Sequence, residues 1–137
     1  MDAALRSHLG DQGITPECIE TIVLTRDVLA RVGDRWTVLV INALASEPLR
    51  FGALHKRLAG VSARMLSQTL RLLTKDGLVT RTVYAEAPPR VEYSLTSLGR
   101  SFSESIDGVV RWVQEHQPEI TKNRLDFELG AAQELTR

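Results

Sequence analysis

The 137 residues fit one domain, and 43% apolar with 25% charged side chains is the composition of a chain that buries a core, not of a disordered one. The longest uninterrupted apolar run, Val38-Leu39-Val40-Ile41, falls far short of the roughly 20 residues of a membrane-spanning helix, and the Met-Asp start lacks the basic and apolar regions of a secretion signal. One cysteine, Cys18, excludes an intrachain disulfide and fits a reducing compartment; the expected location is cytoplasmic, with no membrane partner.

Seventeen basic and seventeen acidic side chains cancel, but they are not spread evenly. Residues 50–90 hold Arg50, Lys56, Arg57, Arg64, Arg71, Lys75, Arg81 and Arg90 against only Asp76 and Glu86. A neutral chain with a basic middle third has a directed field, as expected when one surface faces a polyanion and the rest does not. The bland alternative is ordinary scatter of surface charge.

Residues 1–14 are weakly patterned and end near Gly13, which predicts a flexible N-terminal arm. Thr15-Pro16 reads as a helix start, with a hydroxyl N-cap, proline at the first helical position and Glu17 in the first turn. That helix is expected to reach about Val32 and stop at Gly33. Asp34 caps a second helix, in which Trp36, Leu39, Val40, Ala43 and Leu44 recur at helical spacing, and Ser46-Glu47-Pro48 ends it.

A third, short helix follows, with Phe51, Leu54 and Leu58 on its apolar stripe and His55, Lys56 and Arg57 outward. Ala59-Gly60-Val61 makes a tight turn, and Ser62 caps a fourth helix that runs to about Asp76 and closes at Gly77. Two short helices joined in this way form a helix-turn-helix, with the second helix as the expected reader, or an αα-hairpin that is a mere packing unit. After Gly77 the period changes to two. Leu78–Tyr84 and Arg90–Leu95 read as strands, the second with Val91, Tyr93 and Leu95 on one face, and Ala85–Pro89 as their loop. Thr96 then caps a fifth helix, to about residue 116, with Leu98, Phe102, Ile106, Val109 and Val113 in one stripe; 119–137 is a mostly polar tail, expected either to form a short appended helix or to fray.

The expected fold is therefore mainly α with a small β-hairpin, a winged helix-turn-helix of order α1-α2-α3-α4-β-β-α5. Its domain spans 15–118, between the arm 1–14 and the tail 119–137.

At 100° per residue, the fourth helix sorts into two faces. Leu66, Leu70 and Leu73 fall on one; Arg64, Ser67, Gln68, Arg71 and Lys75 fall on the other, with no acid among them. A helix that only needed solubility gains from Glu interleaved with its bases. These side chains instead match base edges and phosphates: Arg to guanine, Gln to adenine, Ser to either and Lys to phosphate. Ser62 sits at the start of this face. In the loop, Pro88-Pro89 stiffens the approach to Arg90, which suits a minor groove or the backbone. The alternative for Arg90 is that it and Glu92 merely decorate an exposed strand. Arg50 and Lys56 are further candidates for backbone contact.

The stretch from Asp27 to Arg100 holds Gly-Asp-Arg-Trp (33–36), Gly-Val-Ser-Ala-Arg-Met-Leu-Ser-Gln (60–68), Asp-Gly-Leu-Val-Thr-Arg (76–81), Pro-Pro-Arg-Val-Glu-Tyr (88–93) and Leu-Gly-Arg (98–100). It resembles the HxlR-type winged-helix transcriptional regulators of bacteria. The resemblance implies a homodimeric DNA-binding repressor or activator, with the reading helix at Ser62–Asp76, the wing tip at Pro88–Arg90, and dimerisation through the first and last helices. The residues support that last point. Ile19, Ile22, Val23 and Val28, with Ile106, Val109, Val110, Trp112 and Val113, are more apolar surface than a small winged helix needs for its own core. A two-fold dimer would present two reading helices roughly 34 Å apart and so read an inverted repeat.

Several HxlR-type relatives sense oxidants or reactive carbonyls through a cysteine in the first helix. Counted from Trp36, that position falls near Val23, so the resemblance does not carry a thiol-sensor role onto Cys18. A first-turn position still favours a thiolate, and the competing reading is a small buried hydrophobe. The partners expected are double-stranded DNA, a second copy of the chain, and a small-molecule or redox effector. His8, His55 and His116 are too scattered for a metal site, and no cofactor is expected. No phosphate loop, nucleophile elbow or zincin motif is present, so an enzyme is not expected. The competing class is a winged helix that binds a protein or small ligand without regulating transcription.

Overall fold

The structure, a computed structural model, describes residues 15–135; the arm expected over 1–14 lies outside them. Its elements are α1 (Pro16–Gly33), α2 (Arg35–Ser46), β1 (Leu49–Arg50), α3 (Phe51–Arg57), α4 (Ala63–Lys75), β2 (Val79–Tyr84), β3 (Arg90–Leu95) and α5 (Ser97–Leu135). This is a winged helix-turn-helix, mainly helical with a three-stranded antiparallel sheet. No helix among the described residues is long and apolar enough to cross a membrane.

Four of the five helix starts are a local contract between one side chain and the backbone; α3 begins after Arg50 without a side-chain cap. The Thr15 hydroxyl accepts from the Cys18 N–H at 3.2 Å, and Asp34 Oδ1 accepts from Trp36 and Thr37 at 2.8 and 3.2 Å. Ser62 Oγ accepts from Met65 at 3.1 Å and Thr96 Oγ1 from Gly99 at 3.0 Å. Such caps satisfy amide donors that a helix cannot pair internally. Asp34, in extended backbone, both ends α1 and opens α2. The stop expected at Gly33 therefore falls one residue later, and the capping carboxylate sets it.

The end of α4 is a Schellman turn built on Gly77, whose φ is +76°. Gly77 N–H donates to Thr74 O at 3.1 Å and Leu78 N–H to Leu73 O at 3.0 Å. Leu73 and Leu78 both enter the core. The turn throws the chain straight into β2, and the Thr96 hydroxyl then donates to Gly77 O at 2.6 Å. Helix α4, the hairpin and α5 are thereby tied at one point.

The core gathers Val40, Ile41 and Leu44 of α2, Leu54 of α3, Leu66, Leu70 and Leu73 of α4, Val79 and Leu95 of the hairpin, and Ile106 of α5. Burying each such side chain is worth about 1.5–3 kcal/mol. The central helix α2 is enclosed on more than the face its spacing suggested, and Ile41 is as buried as Val40.

Two expectations need correction. The sheet has a third strand: β1 pairs with β3, Leu49 opposite Tyr93 and Arg50 opposite Glu92. This makes β3 the central strand and half-buries Glu92 and Ser94 on the face expected to be open. The last helix does not end near residue 116 but continues through the expected tail to Leu135, with Pro118 inside it. Proline removes one N–H from the ladder, yet the helix runs on. Along α5, Phe102 and Ile106 meet the core, while Leu98, Val109 and Val113 of the same stripe are exposed.

Candidate nucleic-acid interface

The helix α4 presents the two faces its sequence describes. Leu66, Leu70 and Leu73 are buried, and Ser62, Arg64, Ser67, Gln68, Arg71 and Lys75 are all exposed. Placement is fixed from the N-terminus by the Ser62 cap and by the turn before it, where Gly60 has φ +93° and a His55 ring nitrogen bonds Val61 O at 2.9 Å. Among the described residues, no ion pair includes Arg64, Arg71 or Lys75. Three cations thus stand on one helix face with no carboxylate neutralising them, which concentrates positive potential there.

The wing is different. Pro88 and Pro89 are exposed at its tip, but Arg90 is held. Its guanidinium lies 4.1 Å from the Tyr84 ring centroid and pairs with Glu86 at 3.4 Å and Glu92 at 3.6 Å. Its side chain is only 30% exposed. The expectation of Arg90 as an outstretched contact therefore does not fit its surroundings, which bind it to the hairpin itself.

Strand register explains the difference. Tyr84 opposes Arg90 and Thr82 opposes Glu92, whereas Arg81 opposes Tyr93 and Val79 opposes Leu95. Opposed residues share a face. Arg90 belongs to the face away from the core, with Glu92 and with Arg50, which is exposed there opposite Glu92. Arg81 belongs to the core-side face. It was not among the residues expected to touch DNA, although strict alternation from Val79 would have placed it. Lys56 is exposed on α3 without an ion pair among the described residues.

The surplus apolar surface is plain. Of α1 only Cys18 is buried, while Ile19, Ile22, Val23, Leu24, Val28 and Leu29 are 40–64% exposed. On α5, Val109, Val110, Trp112 and Val113 are 42–54% exposed. Ile106, expected with them at a dimer interface, is instead 7% exposed and belongs to its own chain's core. Cys18, at 5% exposed, suits the small apolar residue better than the accessible thiol. Among the described residues, no cluster of His, Cys, Asp and Glu is arranged to hold a metal ion.

Residues 31–121 match the family described as HxlR-like helix-turn-helix. The chain belongs to that family. Over 96 residues it is 42% identical to YtfH of Escherichia coli (strain K12), an uncharacterized HTH-type transcriptional regulator, covering 70% of this chain and 76% of YtfH. The solved structure of ytfH from Salmonella typhimurium, 39% identical, superposes with a TM-score of 0.61 over 73% of this chain and 89% of that one. The redox regulator HypR in its reduced form, 29% identical, superposes with a TM-score of 0.63 over 74% of this chain and 98% of its own. The matched segment holds α2 through the first part of α5, and so contains α4 and the hairpin entire.

Proposed function

We propose that this chain is a sequence-specific double-stranded DNA-binding transcriptional regulator that acts as a homodimer on an inverted-repeat operator, repressing by occupying a promoter. One observation carries the reading: a reading helix whose exposed face holds Arg64, Ser67, Gln68, Arg71 and Lys75, with no acid among them and none of the cations in an ion pair among the described residues. Arg64, Ser67, Gln68 and Arg71 serve base edges and Lys75 a phosphate. The names of its relatives agree with a regulator. Membership in the family speaks for a binding protein over an enzyme.

Homodimerisation is supported by the bare apolar sides of α1 and α5, which a lone copy leaves in water. Response to an effector is supported by likeness to HypR, but the burial of Cys18 argues against direct oxidant access to that thiol.

Selection of bound duplexes from a random pool tests the proposal. It should return an inverted repeat, and affinity for that repeat should fall about 10³-fold between about 50 and 200 mM salt if six or so phosphates are engaged. Recovery of no sequence, or binding indifferent to salt, would favour the competing reading in which the same face docks an unrelated protein.

A further inference from the structure

The core-side face of the hairpin carries a cation where its alternation calls for an apolar residue. Val79 and Leu95 are core, and Tyr93 packs against it. Arg81, opposite Tyr93 on that same face, is exposed. It lines a cleft of about 460 Å³ between α4 and the sheet, together with Ser67, Arg71, Thr74, Lys75 and Tyr93. No carboxylate lines this cleft, and none of its three cations is in an ion pair among the described residues. Like charges gathered without an acid repel one another, and an anion between them removes that repulsion.

We propose that this cleft holds the sugar–phosphate ridge of one DNA strand, with Arg81 as its phosphate ligand from the sheet side and Lys75 from the helix side. The inference rests on the DNA-binding reading above. With α4 in a major groove and the wing toward the neighbouring minor groove, a single backbone passes between the two elements, and the cleft is the gap between them. An arginine there offers two parallel N–H donors to a phosphate. The electrostatic contact of the wing thereby passes from Arg90, which Glu86 and Glu92 already engage, to Arg81.

The test compares the parent, Arg81→Gln and Arg81→Lys on a selected operator and its single-base variants, by fluorescence anisotropy across a salt series, with thermal melting of each protein. Arg81→Gln should melt like the parent, bind every duplex about tenfold more weakly, and lower the slope of log affinity against log salt by about one. Arg81→Lys should keep the slope. A parental slope and affinity in Arg81→Gln would overturn the proposal while leaving the DNA-binding reading intact; so would a loss confined to particular base pairs, which would make Arg81 a base reader. Titration with inorganic phosphate alone separates the two sources of this chemistry. Saturable binding abolished in Arg81→Gln would assign the cleft to a free anion and overturn the backbone role. A parent that binds no duplex would take both readings down together.

Discussion

The guanidinium of Arg90 lies over the ring of Tyr84, its opposite number on the neighbouring strand, at 4.1 Å from the ring centroid. Two glutamates complete its surroundings, so this arginine clasps the hairpin ends together. Arg90→Ala should therefore act mainly on stability. A cation–π contact and two partly exposed ion pairs together contribute about 1–2 kcal/mol, seen as a lower unfolding midpoint in denaturant. Its effect on duplex affinity at a temperature where the variant is folded should be small beside that of Arg64→Ala.

Gly99 answers to a different constraint. A Cβ at this position would overlap the carbonyl oxygen of Leu78 and crowd Leu95, because α5 leaves the Thr96 cap directly against the turn that follows α4. Gly99→Ala should cost about 1–3 kcal/mol by forcing these backbones apart, measured by chemical unfolding. Gly52→Ala is the matched control: open space surrounds that site, so the change should be neutral or stabilising by up to about 1 kcal/mol.

Much of this architecture is visible in the amino-acid order, because its determinants are local. Thr15, Asp34, Ser62 and Thr96 each cap the helix that their chemistry announces, and Gly77 turns where only a positive φ will do. What was not visible depends on partners distant in the chain. The strand Leu49–Arg50 has no periodicity of its own and exists because Tyr93 and Glu92 offer it a ladder. Alternation from Val79 puts Arg81 on the core-side face, but the surroundings of Arg90 were set by the pairing of two strands, which brings Tyr84 opposite it. Helix α5 continues past residue 116 with Pro118 inside it, which the mostly polar pattern there did not announce.

The apolar sides of α1 and α5 predict an obligate partner. Sedimentation of the parent should give a dimer. Ile22→Glu, at a position 40% exposed in the single chain, should give a folded monomer with parental helix content and much weaker operator binding, since two half-sites would no longer be engaged together. A parent that sediments as a monomer would contradict the dimer half of the proposed function.

Cys18 predicts a slow thiol. With 5% of its surface exposed, it should react with a bulky disulfide reagent far more slowly in the native protein than after unfolding. Diamide treatment should leave operator affinity unchanged in the parent. Rapid native modification coupled to loss of DNA binding would instead make Cys18 a sensor.

The most direct test of the central claim is the base preference of Arg64→Ala, measured against every single-base variant of a selected operator beside the parent and Lys75→Ala. Arg64→Ala should lose about 1–3 kcal/mol and become indifferent at one base pair of each half-site, while Lys75→Ala weakens all duplexes alike. Parental affinity and parental discrimination in both variants would show that this face of α4 does not lie on DNA.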